Sequence, residues 1–167
     1  MSRVLASLLV SCALLASPTL AQNRSTAVED VHIQGFEDCL RIKAGEAFEP
    51  IARARGYLPD DKGRWIKLVD ETVIWFSHDN TGIGAPNRCA ALASPANASQ
   101  DRLIGAVRAK SRDLGLIETD PETSKDGSVL HSFVTLAEGP YLGISIGLSP
   151  PSEATPGGMS GVMVLWD

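Results

Sequence analysis

The first third of the chain carries apolar residues at an imperfect helical spacing. Val31, Phe36 and Leu40 supply apolar positions within the segment from Val28 to Ala44, and Gly45 follows directly. Apolar residues about one helical turn apart share one face, and glycine accepts the left-handed backbone that often ends a helix. We therefore expect a helix over residues 28–44.

Two more helices are predicted further along the chain. A short apolar cluster begins at Phe48 and is followed by Gly56, which suits the end of a second helix. A third helix is expected to begin after a Ser99 cap, with Asp101 in its first turn, basic residues near its end and Gly115 as its stop. That distribution of charge matches the helix dipole.

The remaining patterned segments alternate in the manner of β-strands. Residues 64–69 and 72–78 are rich in aromatic and branched side chains and flank Asp70-Glu71, which predicts a hairpin. Another strand is expected over Cys89–Ala93, and three more over residues 129–136, 141–148 and 161–166. The last three are expected to form a meander.

The strand expected over residues 141–148 has two unlike faces. Leu142, Ile144, Ile146 and Leu148 alternate with Gly143, Ser145 and Gly147, so one face is apolar and the other is nearly bare. Small residues allow a helix, a ligand or another chain to come close to a sheet. A covering helix is the simplest occupant of that bare face.

The order of these elements indicates an α+β fold. We expect a two-layer sandwich in which an antiparallel sheet of about five to six strands carries two to three helices on one face. Residues 28–167 are expected to form a single domain, because their number fits one ordinary hydrophobic core.

The amino terminus has the order of a secretory signal peptide. Arg3 precedes an apolar run from Val4 to Ala16, and small residues at Thr19 and Ala21 suit cleavage after Ala21. We expect residues 1–21 to be removed and residues 22–27 to be a disordered segment. A retained anchor is one alternative. Another is a lipoprotein acylated at Cys12, which follows a short lipobox-like sequence.

The charge of the mature chain restricts its partners. The full chain has 15 basic and 20 acidic side chains, and the signal segment carries only Arg3, so the mature chain keeps 14 and 20, a formal charge of −6. Nucleic acids and anionic lipid surfaces require clustered Lys and Arg, which this chain lacks. The expected partner is a protein, peptide or envelope component, with no nucleic acid and no transmembrane span in the mature chain.

Two cysteines remain after removal of the signal segment. In an oxidising compartment such a pair is expected to form a disulfide, here between Cys39 and Cys89. A redox or metal-binding role is the alternative, but the chain has no C-x-x-C pair.

The segment Ser77-His78-Asp79 contains the three residue types of a nucleophilic relay. Successive strand residues point to opposite faces, so His78 is separated from its two neighbours and no relay is expected. His78 would instead end a core-facing row. The three histidines show no metal-ligand spacing, and no motif for a cofactor is present.

The best binding candidates lie on the hairpin, its following loop and the bare strand face. Trp75, His78, Asp79, Asn80 and Ser145 are predicted to contribute to a binding surface. Paired tryptophans anchor partners in many interfaces, but the chain has few aromatic residues, so a core position is the favoured expectation for Trp65 and Trp75.

The pattern of Phe36 and Cys39 in an early helix, a tryptophan-bearing hairpin, and Cys89 at the start of a strand resembles a loose group of small exported bacterial proteins of unknown function. The resemblance spans the middle half of the mature chain. It implies an α+β fold with a helix-to-sheet disulfide, and it carries over no functional residue.

The sequence therefore favours a non-catalytic periplasmic or secreted binding module. A small envelope-acting hydrolase with His78 near its cleft is the alternative enzymatic hypothesis, and a lipid-anchored envelope protein is the alternative location.

Overall fold

The computed structural model describes residues 26–62, 64–79, 86–96, 100–136 and 139–167. The predicted signal segment, Cys12, the cap at Ser99 and the candidate residue Asn80 lie outside the described residues, as does most of the segment 22–27.

Three helices form one layer of the fold. They are α1 (Thr26–Lys43), α2 (Phe48–Ala54) and α3 (Asp101–Asp113). Each one lies where the sequence pattern predicts a helix. Gly45, Gly56 and Gly115 follow them with positive φ angles, so these glycines end the helices for the expected reason.

Nine strands form a single antiparallel sheet. They are β1 (Leu58–Pro59), β2 (Trp65–Val69), β3 (Thr72–Asp79), β4 (Asn87–Ser94), β5 (Leu116–Glu118), β6 (Glu122–Thr123), β7 (Val129–Thr135), β8 (Leu142–Ser149) and β9 (Met159–Trp166). The order across the sheet is β1-β2-β3-β4-β9-β8-β7-β5, and β6 also pairs with β7. The predicted hairpin and meander are therefore both present, and the last strand joins them by pairing with β4.

The sheet is larger than the five to six strands expected from the sequence. The additional strands β1, β5 and β6 contain only two or three residues each, and all three lie toward the edges of the sheet. Segments this short cannot show a two-residue periodicity, so only pairing with β2 or β7 makes them strands.

The core lies between the helices and one face of the sheet. Ile74, Phe76, Ala91, Val162 and Ile146 are buried, and the strand register aligns them on the face that α1 covers. The other face of the sheet, called the open face here, carries the intervening residues of each strand. In the described part of the chain, the helices pack on the face opposite to it.

The disulfide fastens α1 to the centre of the sheet. Cys39 of α1 is bonded to Cys89 of β4, and both side chains are fully buried. The sequence prediction of this pair is confirmed.

Buried carboxylates connect the three helices. Glu29 of α1 accepts a hydrogen bond from the backbone N–H of Arg102 at 2.9 Å, which satisfies a free donor in the first turn of α3. Asp38 of α1 accepts from Arg55, just beyond α2, through Nε at 2.7 Å and Nη2 at 3.0 Å. The helical layer is thus held together by charged hydrogen bonds as well as by apolar contact.

The helices of the described part of the chain include none that is both long and apolar enough to cross a membrane.

Candidate binding face

The candidate nucleophilic relay is separated by the sheet. Ser77 and Asp79 lie on the open face, whereas His78 lies on the helix side, as strand geometry predicts. The ring of His78 is stacked on Trp166, with centroids 5.8 Å apart, and lies 5.9 Å from the ring of Phe48. Among the described residues, the contacts of this imidazole are aromatic rings, so it ends a core-facing row.

The two hairpin tryptophans lie on opposite faces of the sheet. Trp65 is buried on the helix side, where its ring meets Phe48 edge to face at 6.0 Å. Trp75 pairs with Ile66 and Leu92 on the open face and is half-buried. The expectation that both tryptophans suit a core therefore applies to Trp65 alone, and Trp75 is available as a surface anchor.

An apolar row crosses the open face. Strand register places six residues of this row directly side by side, one from each of six neighbouring strands. In order they are Ile66, Trp75, Leu92, Gly161, Gly147 and Leu130. Three bulky side chains are followed by two glycines and one leucine, so one half of the row is raised and the other half is low.

Most exposed large hydrophobic side chains of the described residues lie on this same face. Seven have large exposed fractions, and strand register or close contact places five of them there. These are Leu58, Leu68, Ile117, Leu130 and Tyr141. Leu136 follows β7 in the same alternation, whereas Leu148 lies on the helix side. Exposed hydrophobic area is therefore concentrated on one side of the molecule.

Charged residues are nearly excluded from the centre of the open face. In the six strands that carry the apolar row, the open-face positions include a single ion pair, between Asp79 and Arg88 at 2.5 Å, at one end of β3 and β4. A sheet that meets water on one side ordinarily alternates apolar and polar residues. Here both sides are poor in charge, which is typical of a sheet that is covered on both faces.

Two cross-strand glycines form the floor of a shallow depression, called the glycine trough here. Gly147 and Gly161 are paired between β8 and β9, Leu92 and Leu130 stand on either side, and Ser145 lies in the lining. The depression has a volume of about 230 Å³. It contains the bare row that the sequence predicts, but on the face opposite α1, α2 and α3, so none of these three helices is the expected covering helix.

The two glycines of the trough differ in what they tolerate. A Cβ added to Gly161 would lie 2.3 Å from the carbonyl oxygen of Ala91, which no side chain can accommodate without a backbone shift. A Cβ added to Gly147 would meet only Leu130 Cδ1 at 3.8 Å, an ordinary contact. The trough at Gly147 is therefore open space rather than a requirement of the fold.

A second concavity lies between α1 and α3, with a volume of about 580 Å³. Phe36 and Leu40 contribute apolar surface, and Arg41 lies at its rim. That guanidinium is already bound to Glu46 at 2.6 Å and to Asp38 at 2.9 Å. The charge of Arg41 is therefore neutralised within the chain.

The histidines and acidic residues do not converge on a metal site in the described residues. No group of three or more His, Cys, Asp and Glu side chains there lies close enough to hold an ion. His32 is buried in α1, and burial lowers its pKa to about 4. It is therefore a neutral core residue at physiological pH.

Of the predicted binding residues, Trp75, Asp79 and Ser145 share the open face, whereas His78 is on the helix side and Asn80 lies outside the described residues. Sequence reasoning missed Leu92, Leu130 and Gly161. Residue alternation in β7 and β9 shows which residues share a face of each strand, and in β9 it groups Gly161 with Met163 and Leu165. Alternation does not show which face of the sheet the helices leave uncovered.

No known protein family, curated protein or solved structure matches this chain.

Proposed function

We propose that this protein is a non-catalytic, exported binding module that uses the open face of its sheet to bind an apolar surface of a protein. The observation that carries the proposal is the row from Ile66 to Leu130, which spans six strands without a charged side chain. Exposed apolar patches of this extent are typical of interaction surfaces.

The chemistry of the open face suits a protein partner better than a small polar ligand. Its side chains are mostly aliphatic, aromatic or small, and the hydroxyls in the lining of the trough belong to Ser145 and Ser149. Trp75 is a half-buried aromatic residue on a rigid strand, a type of residue that often dominates the free energy of binding. The helical layer fixes the sheet from behind, so little ordering is required on association.

Export is the second part of the proposal. It rests on the signal-like segment 1–21 and on a buried disulfide, which persists in oxidising compartments. The intact mass of the exported chain tests it. A mass for residues 22–167 less two hydrogens supports export with cleavage after Ala21. A lipid-modified chain beginning at Cys12 would place the same domain at a membrane surface.

The binding face is tested by photo-crosslinking at two matched leucines. Leu130 and Leu148 are 38% and 36% exposed, and their strands are neighbours, but Leu130 is on the open face and Leu148 is on the helix side. A photoreactive phenylalanine at position 130 is expected to give covalent adducts in cells that export the chain, and the same group at position 148 is not.

A second variant tests whether the adducts at position 130 depend on the glycine trough. Gly147→Glu introduces a charge where the fold has space, and it is expected to abolish the adducts at position 130 while circular dichroism stays unchanged. Adducts of equal yield at positions 130 and 148, or none at either, would contradict the proposal.

A further inference from the structure

We infer that the partner of the open face is a second copy of this chain, which binds face to face. The inference rests on the proposed function and adds to it the identity of the partner. It follows from a complementarity between the two halves of the face, which the cross-strand register makes visible.

The halves differ in height along the apolar row. On β2, β3 and β4 the row carries the bulky residues Ile66, Trp75 and Leu92, and on β9 and β8 it carries only Gly161 and Gly147. The boundary falls between β4 and β9, which is also the middle of the strand order. The raised part of the row therefore meets the two glycines at the centre of the sheet, and Leu130 of β7 ends the row beyond them.

A twofold axis parallel to the strands at that boundary places the two halves on each other. Such an axis superposes β4 of one copy on β9 of the other, and β3 on β8, without a shift along the strands. Trp75 then lies over Gly147 of the second copy, which is the open part of the trough, and Ile66 lies over Leu130 at the end of the row. Gly161 is buried, because Leu92 of its own chain already covers it. Because each contact occurs twice in a twofold dimer, each copy provides the Trp75 side chain at one contact and the glycine trough at the other.

The neighbouring row follows the same rule. Ala90 and Met163 are paired across β4 and β9, so the axis places the small alanine of one copy over the long methionine of the other. Sheets that pack face to face lie about 10 Å apart, which requires side chains of the two layers to interdigitate in this manner.

Charge also favours a second copy. The chain is acidic overall, yet the open-face positions of the six strands that carry the apolar row have no net charge, because Asp79 and Arg88 neutralise each other at one end. Glu122 of β6 lies beyond the edge of these strands, beside Leu130. The inferred axis brings Arg88 of both copies to the same end of the dimer, where each guanidinium is paired with Asp79 of its own chain. A basic or acidic partner would find no complementary group on these strands.

The face is large enough for a stable dimer. Six strands about 4.8 Å apart and seven residues of about 3.3 Å each span roughly 29 by 23 Å, or about 670 Å² in projection. A stable interface buries about 800 Å² of accessible surface on each partner, and accessible area exceeds projected area on a surface with raised side chains.

Sedimentation equilibrium of the exported chain over a range of concentrations tests the inference. We expect wild type to behave as a dimer at micromolar concentration. Trp75→Ala removes the side chain and Gly147→Leu fills the trough, and each is expected to weaken dimerisation by at least about tenfold, since the contact occurs twice. Gly105→Ala, on the exposed side of α3, is the control and is expected to leave the dimer unchanged.

A mixture of the Trp75→Ala and Gly147→Leu variants gives the decisive readout. In a mixed dimer, the alanine introduced in one copy faces the leucine introduced in the other, so the filled trough meets a truncated side chain. At the second contact of the same dimer, the unchanged Trp75 faces the unchanged Gly147. Both contacts are thus restored, and we expect the mixture to dimerise more strongly than either variant alone. If the mixture dimerises no better than Gly147→Leu alone, the inferred packing is wrong.

The test separates this inference from the proposed function. A monomeric wild-type chain whose adducts at position 130 have the mass of a different protein would overturn the second copy as partner and leave the binding face intact. A monomeric chain that gives no adducts at position 130 would overturn both.

Discussion

Gly35 of α1 lies against Ala91 of β4 so closely that a Cβ on Gly35 would be 2.4 Å from the Cβ of Ala91. Four residues further along the helix, Cys39 is bonded to Cys89, two residues back along the strand. Four helical residues rise about 6 Å and two strand residues about 6.7 Å, so α1 follows β4 in the opposite chain direction. The glycine permits the close approach that the disulfide then fixes.

Gly35→Ala is expected to destabilise the protein by about 1–3 kcal/mol, the cost typical of overpacking, although alanine favours helix formation. The measurement is the free energy of unfolding in urea. Gly105→Ala in α3 is the matched control, because a Cβ there meets nothing within 4 Å, and it is expected to stabilise the protein by about 0.5–1 kcal/mol. The same sign of change at both positions would contradict the close contact at Gly35.

Replacement of Cys39 and Cys89 by alanine together is expected to lower the free energy of unfolding by about 4 kcal/mol, since the bond closes a loop of 50 residues in the unfolded chain. Urea denaturation of the double variant measures the change. Reduction of the wild-type protein should produce a loss of similar size. A loss below about 1 kcal/mol in both experiments would show that the bridge adds little to the packing of α1 on β4.

The two trough glycines are expected to respond differently to alanine. Gly161→Ala should destabilise the protein by about 1–3 kcal/mol, because its Cβ would meet the backbone of Ala91 and Leu92 at 2.3 and 2.8 Å. Gly147→Ala should be neutral or stabilise by up to about 1 kcal/mol, since it removes a flexible residue from a strand where space is available. Thermal unfolding of both variants compares them in the Trp75→Ala background, in which the inferred dimer is weakened, and equal melting temperatures would contradict the difference in backbone contact.

Burial of His32 is expected to make stability depend on pH. The pKa of His32 falls from 6.5 to about 4 in the folded protein because burial disfavours the charged ring. The unfolded chain therefore binds the proton first, and stability is lost as pH falls from about 6.5 toward 4. Between about pH 7 and pH 5 the loss is expected to be about 2 kcal/mol.

Urea denaturation at the two pH values measures this loss. His32→Gln removes the titrating group and is expected to show a smaller loss than wild type over the same interval. If the variant loses as much stability as wild type between the two pH values, another group is responsible for the dependence.

Local pattern alone predicts most of the secondary structure of this protein. The helices that end at Gly45, Gly56 and Gly115 and the hairpin around Asp70-Glu71 all follow from spacing and from residues suited to turns. The disulfide partners also follow from the sequence, because two cysteines remain once Cys12 is assigned to the predicted signal segment, and two cysteines can pair in one way. Strand alternation likewise separates His78 from Ser77 and Asp79.

The identity of the open face depends on tertiary structure. Periodicity establishes that Trp75 shares a face with Ser77 and that Gly147 shares one with Ser145, but it does not determine which faces the helices cover. That choice is made by contacts distant in sequence, namely Gly35 against Ala91 and the insertion of β9 between β4 and β8. Only these contacts bring Trp75 and Gly147 onto one surface. The pleat of a strand makes successive side chains alternate between its two faces, and helix packing determines which of these faces is buried.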